Sequence, residues 1–307
     1  MTRPHAPWQI HAALAGAQVG FALYPIFGKL ALATIPPLPF AAFRVTAAAA
    51  LLEIIRRAQR GETIRRADRP RILLYALLGV SFNQILFICG LSLTSAIHTT
   101  ILTATIPVFT LAAAVLLRRE TLTARAAGAI GLAGAGALAL LNAHQFEWSN
   151  GSFRGDLLII ANSISYSLYL VLSRRALADY RATAYTAACF RYGSVLIVLA
   201  AIPDLIRFSP SRTPPLAWTC LGAVIVLCTV IPYLLNSWAL ARTHASQVAF
   251  YVFLQPLIAT ALAIPILGEN LTAKAVVASA LILAGLAVSV ARGRRGAGAA
   301  AVGIAAE

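Results

Sequence analysis

Apolar residues in this chain gather into ten long runs, at roughly 9–32, 38–55, 72–92, 95–117, 123–141, 155–173, 184–203, 217–239, 246–267 and 272–291. A helix that crosses a bilayer needs about 20 such residues at 1.5 Å of rise each, and the shorter runs stay within the usual range. The joints between the runs are short, so the spans belong to one helical bundle. A β-barrel would alternate apolar and polar positions in segments of about ten residues, and no such alternation is present. The pattern predicts an all-α polytopic membrane protein with ten transmembrane helices.

The chain also repeats itself. Shifted by 149 residues, Pro107 falls on Pro256, Gly136 on Gly285, and Glu120-Thr121-Leu122-Thr123-Ala124 on Glu269-Asn270-Leu271-Thr272-Ala273. Between Ala96 and Leu140 this register gives 13 identities in 45 positions. Alanine inflates that count, so the Pro, Glu, Leu-Thr and Gly matches carry the argument. Phe43-Arg44 matches Phe190-Arg191 at 147, as joints of unequal length require. Five spans per copy is an odd number, so the second copy enters the membrane upside down. Two inverted five-helix repeats meeting at the midplane are the architecture of secondary transporters. The expected organisation is a first repeat at 1–145, an outer linker at 146–154, a second repeat at 155–291 and a disordered inner tail at 292–307.

Composition agrees: 60% of residues are hydrophobic and 11% charged, with a mean hydropathy of +0.80. The net charge of +15 raises the question of nucleic acid, and its placement answers it. With the N-terminus inside, 18 of the 25 basic residues fall on the inner side, seven of them between Arg56 and Arg71. Five fall on the outer side, and Arg44 and Arg191 lie within spans. This is the asymmetry of a membrane protein with both termini in the cytoplasm, and no nucleic-acid partner is expected. The 56–71 loop reads as a topology anchor or a grip on anionic lipid. Cys89, Cys189, Cys220 and Cys228 all lie inside spans, without metal spacing, and read as packing residues. The first run is too long for a cleavable signal and lacks a processing site.

The segment from Gly20 through Lys29 to Arg44, Ala76-Leu77-Leu78-Gly79, Pro107, Glu120-x-Leu122-Thr123 and the glycine-rich span 5 resemble EamA-type members of the drug/metabolite transporter superfamily. The second half repeats the pattern as Gly155-Asp156-Leu157, Pro256 and Glu269-x-Leu271-Thr272. Within that family the chain is similar to YddG-type bacterial amino-acid exporters. The resemblance implies a central cavity lined mainly by spans 3, 4, 8 and 9.

Polar side chains are costly inside a bilayer and face protein or water. Those in the implied lining are Asn83 and Gln84 in span 3; His98, Thr99 and Thr103 in span 4; Tyr233 and Asn236 in span 8; and Gln247, Tyr251 and Gln255 in span 9. The last three follow i, i+4, i+8, which puts them on one face of a continuous helix. These ten are the candidate substrate-binding set; interhelical hydrogen bonding is the competing role. His98 reads either as a proton-gating residue or as a neutral hydrogen-bonding one, and no carboxylate is expected beside it. Arg44 and Arg191 either attract a substrate carboxylate or reach carbonyls and helix ends near the interface. Glu120 and Glu269 read as helix-start residues, with Thr123 and Thr272 as N-caps. Gly128, Gly131, Gly134 and Gly136 read as a helix-packing surface, and the tryptophans as an interfacial belt, with Trp238 the exception, near a pathway. Pro107 and Pro256 are expected to bend their spans symmetrically and serve as gating hinges.

No phosphate-binding loop, zinc motif or nucleophile elbow occurs, so neither an ATP-driven pump nor a membrane hydrolase is supported and no cofactor is expected. No acidic residue lies near the middle of any span. The sequence therefore predicts a monomeric inner-membrane facilitator, among membrane lipids, that exports small polar metabolites by alternating access. Amino acids, aromatic ones included, are the expected solutes, ahead of drugs, nucleosides or sugar derivatives, and ahead of a non-transporting membrane enzyme or assembly factor.

Overall fold

In hydrocarbon a chain must pair every backbone donor and acceptor internally, and helices do so within one segment. The computed structural model describes residues 7–119, 124–140, 151–243 and 245–290. Among them all regular structure is helical. Span 1 is Pro7–Leu32 and span 2 is Pro37–Ala58. Span 3 joins the helices Arg69–Ala76 and Asn83–Leu93 through a π-helical stretch, Leu77–Phe82. Span 4 is a pair, Ala96–Thr103 and Ile106–Leu116. Spans 5, 6 and 7 are Ala124–Leu140, Gly151–Asp179 and Ala182–Arg207. Span 8 joins Pro215–Ile225 and Ile231–Leu240 through the π-helical stretch Val226–Val230. Span 9 joins Ala245–Phe250 and Leu254–Leu267 through a 3-10 turn, Tyr251–Phe253. Span 10 is Ala273–Val290. Glu120, Thr123, Trp148, residues 146–150 of the linker and the tail 292–307 lie outside the described residues.

Span 6 is longer than its apolar run at both ends. Arg154 near its start and Arg174 and Arg175 near its end are exposed, so the helix continues into the polar layers after the apolar run has stopped.

The 149-residue register recurs in the irregularities. The π-helical stretches of spans 3 and 8 begin at Leu77 and Val226, and spans 4 and 9 both break just before their repeat-mate prolines. A π-helical turn leaves carbonyls shifted from their usual partners; in span 8 the Thr229 hydroxyl donates to the Val224 carbonyl, 2.7 Å away. Pro107 sits in the first turn of Ile106–Leu116, where a missing N–H is tolerated. The Thr105 hydroxyl takes up the Leu102 carbonyl at 2.6 Å. The expected symmetric bends are thus helix breaks.

Packing follows the inversion. Span 2 lies against its mate, span 7, and span 5 against span 10. Span 1 packs on spans 8 and 9 of the other half, as span 6 packs on spans 3 and 4. The first of these contacts is close: a Cβ on Gly20 would come 2.5 Å from the Leu227 carbonyl and 2.4 Å from the Pro232 ring. The glycines of span 5 are different. A Cβ on Gly128, Gly131 or Gly134 would meet nothing within 4 Å, so these three do not form the bundle contact expected of them.

The register of spans 2 and 7 also needs correction. The Phe-Arg dipeptides align at 147, but burial aligns at 145. Pro39, Phe40, Ala41, Ala42, Arg44, Val45, Ala48 and Leu52 are buried, and so are Ala184, Tyr185, Thr186, Ala187, Cys189, Phe190, Gly193 and Ile197. Arg44 therefore lies on the buried face of its span, and Arg191 does not. A two-residue identity is weaker than eight positions of burial.

The 56–71 loop is tied to the joint between spans 6 and 7. Glu62 accepts from the Arg181 amide at 2.6 Å, Arg71 reaches Asp68 at 2.9 Å and Asp179 at 3.1 Å, and the Tyr180 hydroxyl donates to Asp68. Cys189, Cys220 and Cys228 are buried, Cys89 is half-buried, and all four are free thiols. Trp218 packs against Phe43 and Phe208, and the Arg242 guanidinium lies 4.2 Å above the Trp238 ring.

Candidate functional site

Two hollows compete as a solute site. The larger, about 550 Å³, is lined almost wholly by apolar groups of spans 4, 9 and 10. Exposed Leu257 and Val276 place it on the outside of the bundle. The smaller, about 60 Å³, is surrounded by spans 1, 2, 3, 4, 6, 8 and 9. Among apolar groups such as Phe21, Phe87 and Ile106, its lining holds amides, phenols and one guanidinium, which are costly to bury without a role. The smaller cavity is the candidate. Ordinary ligand sites measure several hundred Å³, so a solute larger than a few waters requires the bundle to open around it.

A hydrogen-bonded chain runs through its wall. The Gln84 amide donates to the Tyr233 hydroxyl and to the Asn83 carbonyl oxygen, each at 2.7 Å. Gln84 and Tyr233 are repeat mates at 149, so the two halves touch here through equivalent positions. Asn162 of span 6 donates to the Asn83 backbone carbonyl at 2.8 Å, Asn236 to the Tyr166 hydroxyl at 3.0 Å, and Gln255 to the Gln18 carbonyl oxygen at 2.6 Å. Phe21 and Phe190 meet the Tyr233 ring edge-on at 5.4 and 4.8 Å and hold it in place. Arg44 donates from Nη2 to Gln84 Oε1, and its guanidinium lies 4.1 Å above the Tyr24 ring. Three groups of this lining keep unpartnered atoms: Arg44 at Nε and Nη1, Tyr24 at its hydroxyl, and Asn236 at Oδ1.

Of the ten candidate residues, Asn83, Gln84, Thr103, Tyr233, Asn236 and Gln255 line this cavity. His98, Thr99, Gln247 and Tyr251 do not. The i, i+4, i+8 face assumed an unbroken helix, and the 3-10 turn at Tyr251–Phe253 turns Gln255 away from the other two. Gln247 accepts from the Thr243 hydroxyl, Tyr251 meets His11 of span 1, and Thr99 donates to the Ser95 carbonyl at 2.8 Å. The set missed Gln18, Tyr24, Asn162 and Tyr166, because spans 1 and 6 were not expected in the lining. Asn162 and Tyr166 do stand one turn apart within an apolar run, a signal that could have found them.

The chain matches the EamA-like transporter family twice, over residues 8–142 and 153–291. It belongs to that family. Similar proteins include an uncharacterized transporter of Archaeoglobus fulgidus, 26% identical over 251 residues, covering 80% of this chain and 84% of its own. The uncharacterized transporters YyaM and YcxC of Bacillus subtilis are 23% and 28% identical, over 81% and 80% of this chain and 83% and 81% of theirs. A solved crystal structure shares the fold with a TM-score of 0.64 at 20% identity, over 91% of this chain and 97% of that one. The protein is thus a multi-pass membrane transporter of the EamA-like family.

In this EamA-like chain two carboxylates converge on the N-terminal end of span 4. Glu269 accepts from the backbone amides of Ala96 and Ile97 at 2.7 and 2.9 Å. It therefore caps span 4, across the bundle, rather than its own span 10; Thr272 begins span 10, accepting from the Ala275 amide at 3.2 Å. A carboxylate at a helix N-terminus satisfies orphan donors and meets the positive end of the helix dipole. Asp156 is 2% exposed; it accepts from the Thr94 hydroxyl at 2.6 Å and lies 3.3 Å from His98 Nδ1. The expectation that His98 has no carboxylate beside it is overturned. Asp156 stands near the start of the apolar run of span 6, and sequence distance hid that it turns toward span 4. No group of three or more metal-ligating side chains occurs among the described residues.

Proposed function

We propose that this protein exports small zwitterionic metabolites, above all amino acids with apolar or aromatic side chains, across the inner membrane. One observation carries the reading. A single buried cavity holds unpartnered donors, Arg44 Nε and Nη1, and an unpartnered acceptor, Asn236 Oδ1, with the rings of Phe21, Tyr24 and Phe87 around them. A carboxylate and an ammonium on one small molecule would satisfy both, and an apolar side chain would meet the rings. The breaks before Pro107 and Pro256 are the proposed hinges of alternating access. The basic inner loops favour both termini in the cytoplasm.

The described lining includes no carboxylate, which favours a facilitator. Counterflow in proteoliposomes tests the whole reading: labelled phenylalanine or leucine should enter vesicles preloaded with the same amino acid faster than protein-free ones. An imposed pH gradient should not drive accumulation above equilibrium. Accumulation that a protonophore abolishes, and that Asp156→Asn removes, would instead make the Asp156/His98 pair a proton carrier. Preference for a nucleoside, sugar or drug in the same panel would replace the solute class, and no flux of any solute would sink the transport reading.

A further inference from the structure

Arg44 is the largest of the side chains under 2% exposed, and it carries a charge. A guanidinium keeps its proton in any protein setting, so burial cannot neutralise it. It stands seven residues into span 2, about 10 Å below the helix start at 1.5 Å per residue. A side chain reaching for the interface would turn outward; this one lines the cavity. Among the described residues no carboxylate lies within ion-pair distance of it. The contrast with Arg71 is direct, because Arg71 also has a buried Nε without a partner, yet its Nη2 is held by both Asp68 and Asp179. Arg44 has one amide oxygen and one aromatic face. The Tyr24 ring that covers this face carries a buried hydroxyl, and that hydroxyl also lacks a partner. Donors without acceptors therefore gather on one wall, around an uncompensated positive charge. The complement of such a wall is an anion with at least two acceptor oxygens.

We infer that Arg44 is the anion subsite of the cavity, taking the carboxylate of the transported solute on its free N–H groups with the Tyr24 hydroxyl as a further donor. This rests on the transport reading above and sharpens it. The solute must present a carboxylate, and selectivity for acids over their amine or ester analogues resides in Arg44. Gln84 then acts as a positioning residue: its Oε1 holds Nη2 and orients the guanidinium toward the cavity.

The experiment compares matched solutes on wild type, Arg44→Gln, Arg44→Lys and Tyr24→Phe. Competitors of counterflow are phenylalanine, phenethylamine and phenylalanine methyl ester. With wild type the acid should compete at a concentration lower by about tenfold or more, one charge-assisted hydrogen bond or better. Arg44→Gln should lose that preference; Arg44→Lys, still charged but without the planar fork, should keep part of it. Tyr24→Phe keeps the ring under the guanidinium and should weaken acid competition only. Equal competition by acid and amine in wild type, or an unchanged preference in Arg44→Gln, would overturn the assignment. Binding is read independently of flux from the melting midpoint of purified protein. Phenylalanine should raise it in wild type and not in Arg44→Gln, while phenethylamine and 100-fold excess chloride should not. Stabilisation by chloride equal to that by the acid would make this an inorganic-anion site and overturn the solute assignment. Acid-specific stabilisation without any counterflow would sink the transport reading and leave the subsite standing. Should Arg44→Gln fail to fold, the wild-type acid-to-amine ratio and Tyr24→Phe decide the matter.

Discussion

Span 2 and span 7 carry the same dipeptide and put its charge to opposite uses. Arg44 is 1% exposed and faces the cavity, while Arg191 is exposed, its guanidinium 5.1 Å above the Tyr192 ring. The two spans pack against each other, so the difference is not one of neighbourhood. It arises from which face each span buries: Arg44 is on the buried face of span 2, and Arg191 is off the buried face of span 7. A repeat keeps the backbone plan of both halves, yet among the described lining residues only the first half supplies a charge to the centre. Inverted symmetry thus sets the frame, and departures from it mark where chemistry is placed.

The sharpest way to break this contrast is to neutralise each arginine in turn. Arg44→Gln should lower kcat/KM for a carboxylate solute by about 10- to 100-fold, the cost of losing charged hydrogen bonds in a buried site. Arg191→Gln should stay within about twofold, as exposed substitutions usually do. Counterflow rates normalised to folded protein in the vesicles decide it. Equal losses would mean that both arginines act through the fold.

A smaller effect belongs to the place where the halves meet. Tyr233→Phe deletes the hydroxyl that accepts from Gln84 at 2.7 Å and should destabilise by about 1–2 kcal/mol, leaving a buried donor short of a partner. Gln84→Leu should cost a similar amount and also free the Arg44 guanidinium. Residues in one network couple, so the double variant should cost less than the two single changes together, by about 1 kcal/mol. Chemical denaturation in detergent measures all three. Strict additivity would mean that the repeat mates touch without depending on each other.

How much of this was legible depends on the scale of the signal. Ten apolar runs and the 149-residue repeat gave the architecture, because hydrocarbon leaves a chain few choices. The paired prolines gave the paired breaks for the same local reason. Six of ten candidate residues reached the cavity because polar groups in spans 3 and 8 have few other places to go. The failures came where a single residue's rotation mattered. The 3-10 turn at Tyr251–Phe253 is the break that Pro256 announces, but the proline does not say how far that break rotates Gln255 from Gln247. Glu269 caps span 4 from a distance of 173 residues, a contact that only the closed bundle creates. Arg44 was weighed with Arg191 as an equal because identity of sequence was read as identity of position.

Glu269 offers the next test, since its contact ties the second half to the first. Glu269→Gln keeps size and one acceptor oxygen but removes the charge at the N-terminus of span 4. The expected loss is about 1 kcal/mol, typical of a cap or a dipole partner. It should appear as a lower melting midpoint, with acid-over-amine selectivity unchanged, because the cap lies outside the cavity. A changed selectivity would place Glu269 in the solute path.

The least effect is expected on the first two members of the presumed span 9 face. Gln255 is 6% exposed and holds Gln18 across the cavity, so Gln255→Ala leaves a buried amide oxygen unpaired and should slow counterflow about three- to tenfold. Gln247 lies before the 3-10 turn and Tyr251 opens it, and their partners are Thr243 and His11 rather than the cavity wall. Gln247→Ala and Tyr251→Ala should each remain within about twofold of wild type, the range of a partly exposed side chain without a buried network. Had span 9 been one continuous helix, all three substitutions would act alike, since i, i+4 and i+8 share a face. A graded response, with Gln255 alone sensitive, is the signature of the break. Equal and large losses at all three positions would mean that span 9 straightens during transport and presents the whole face to solute.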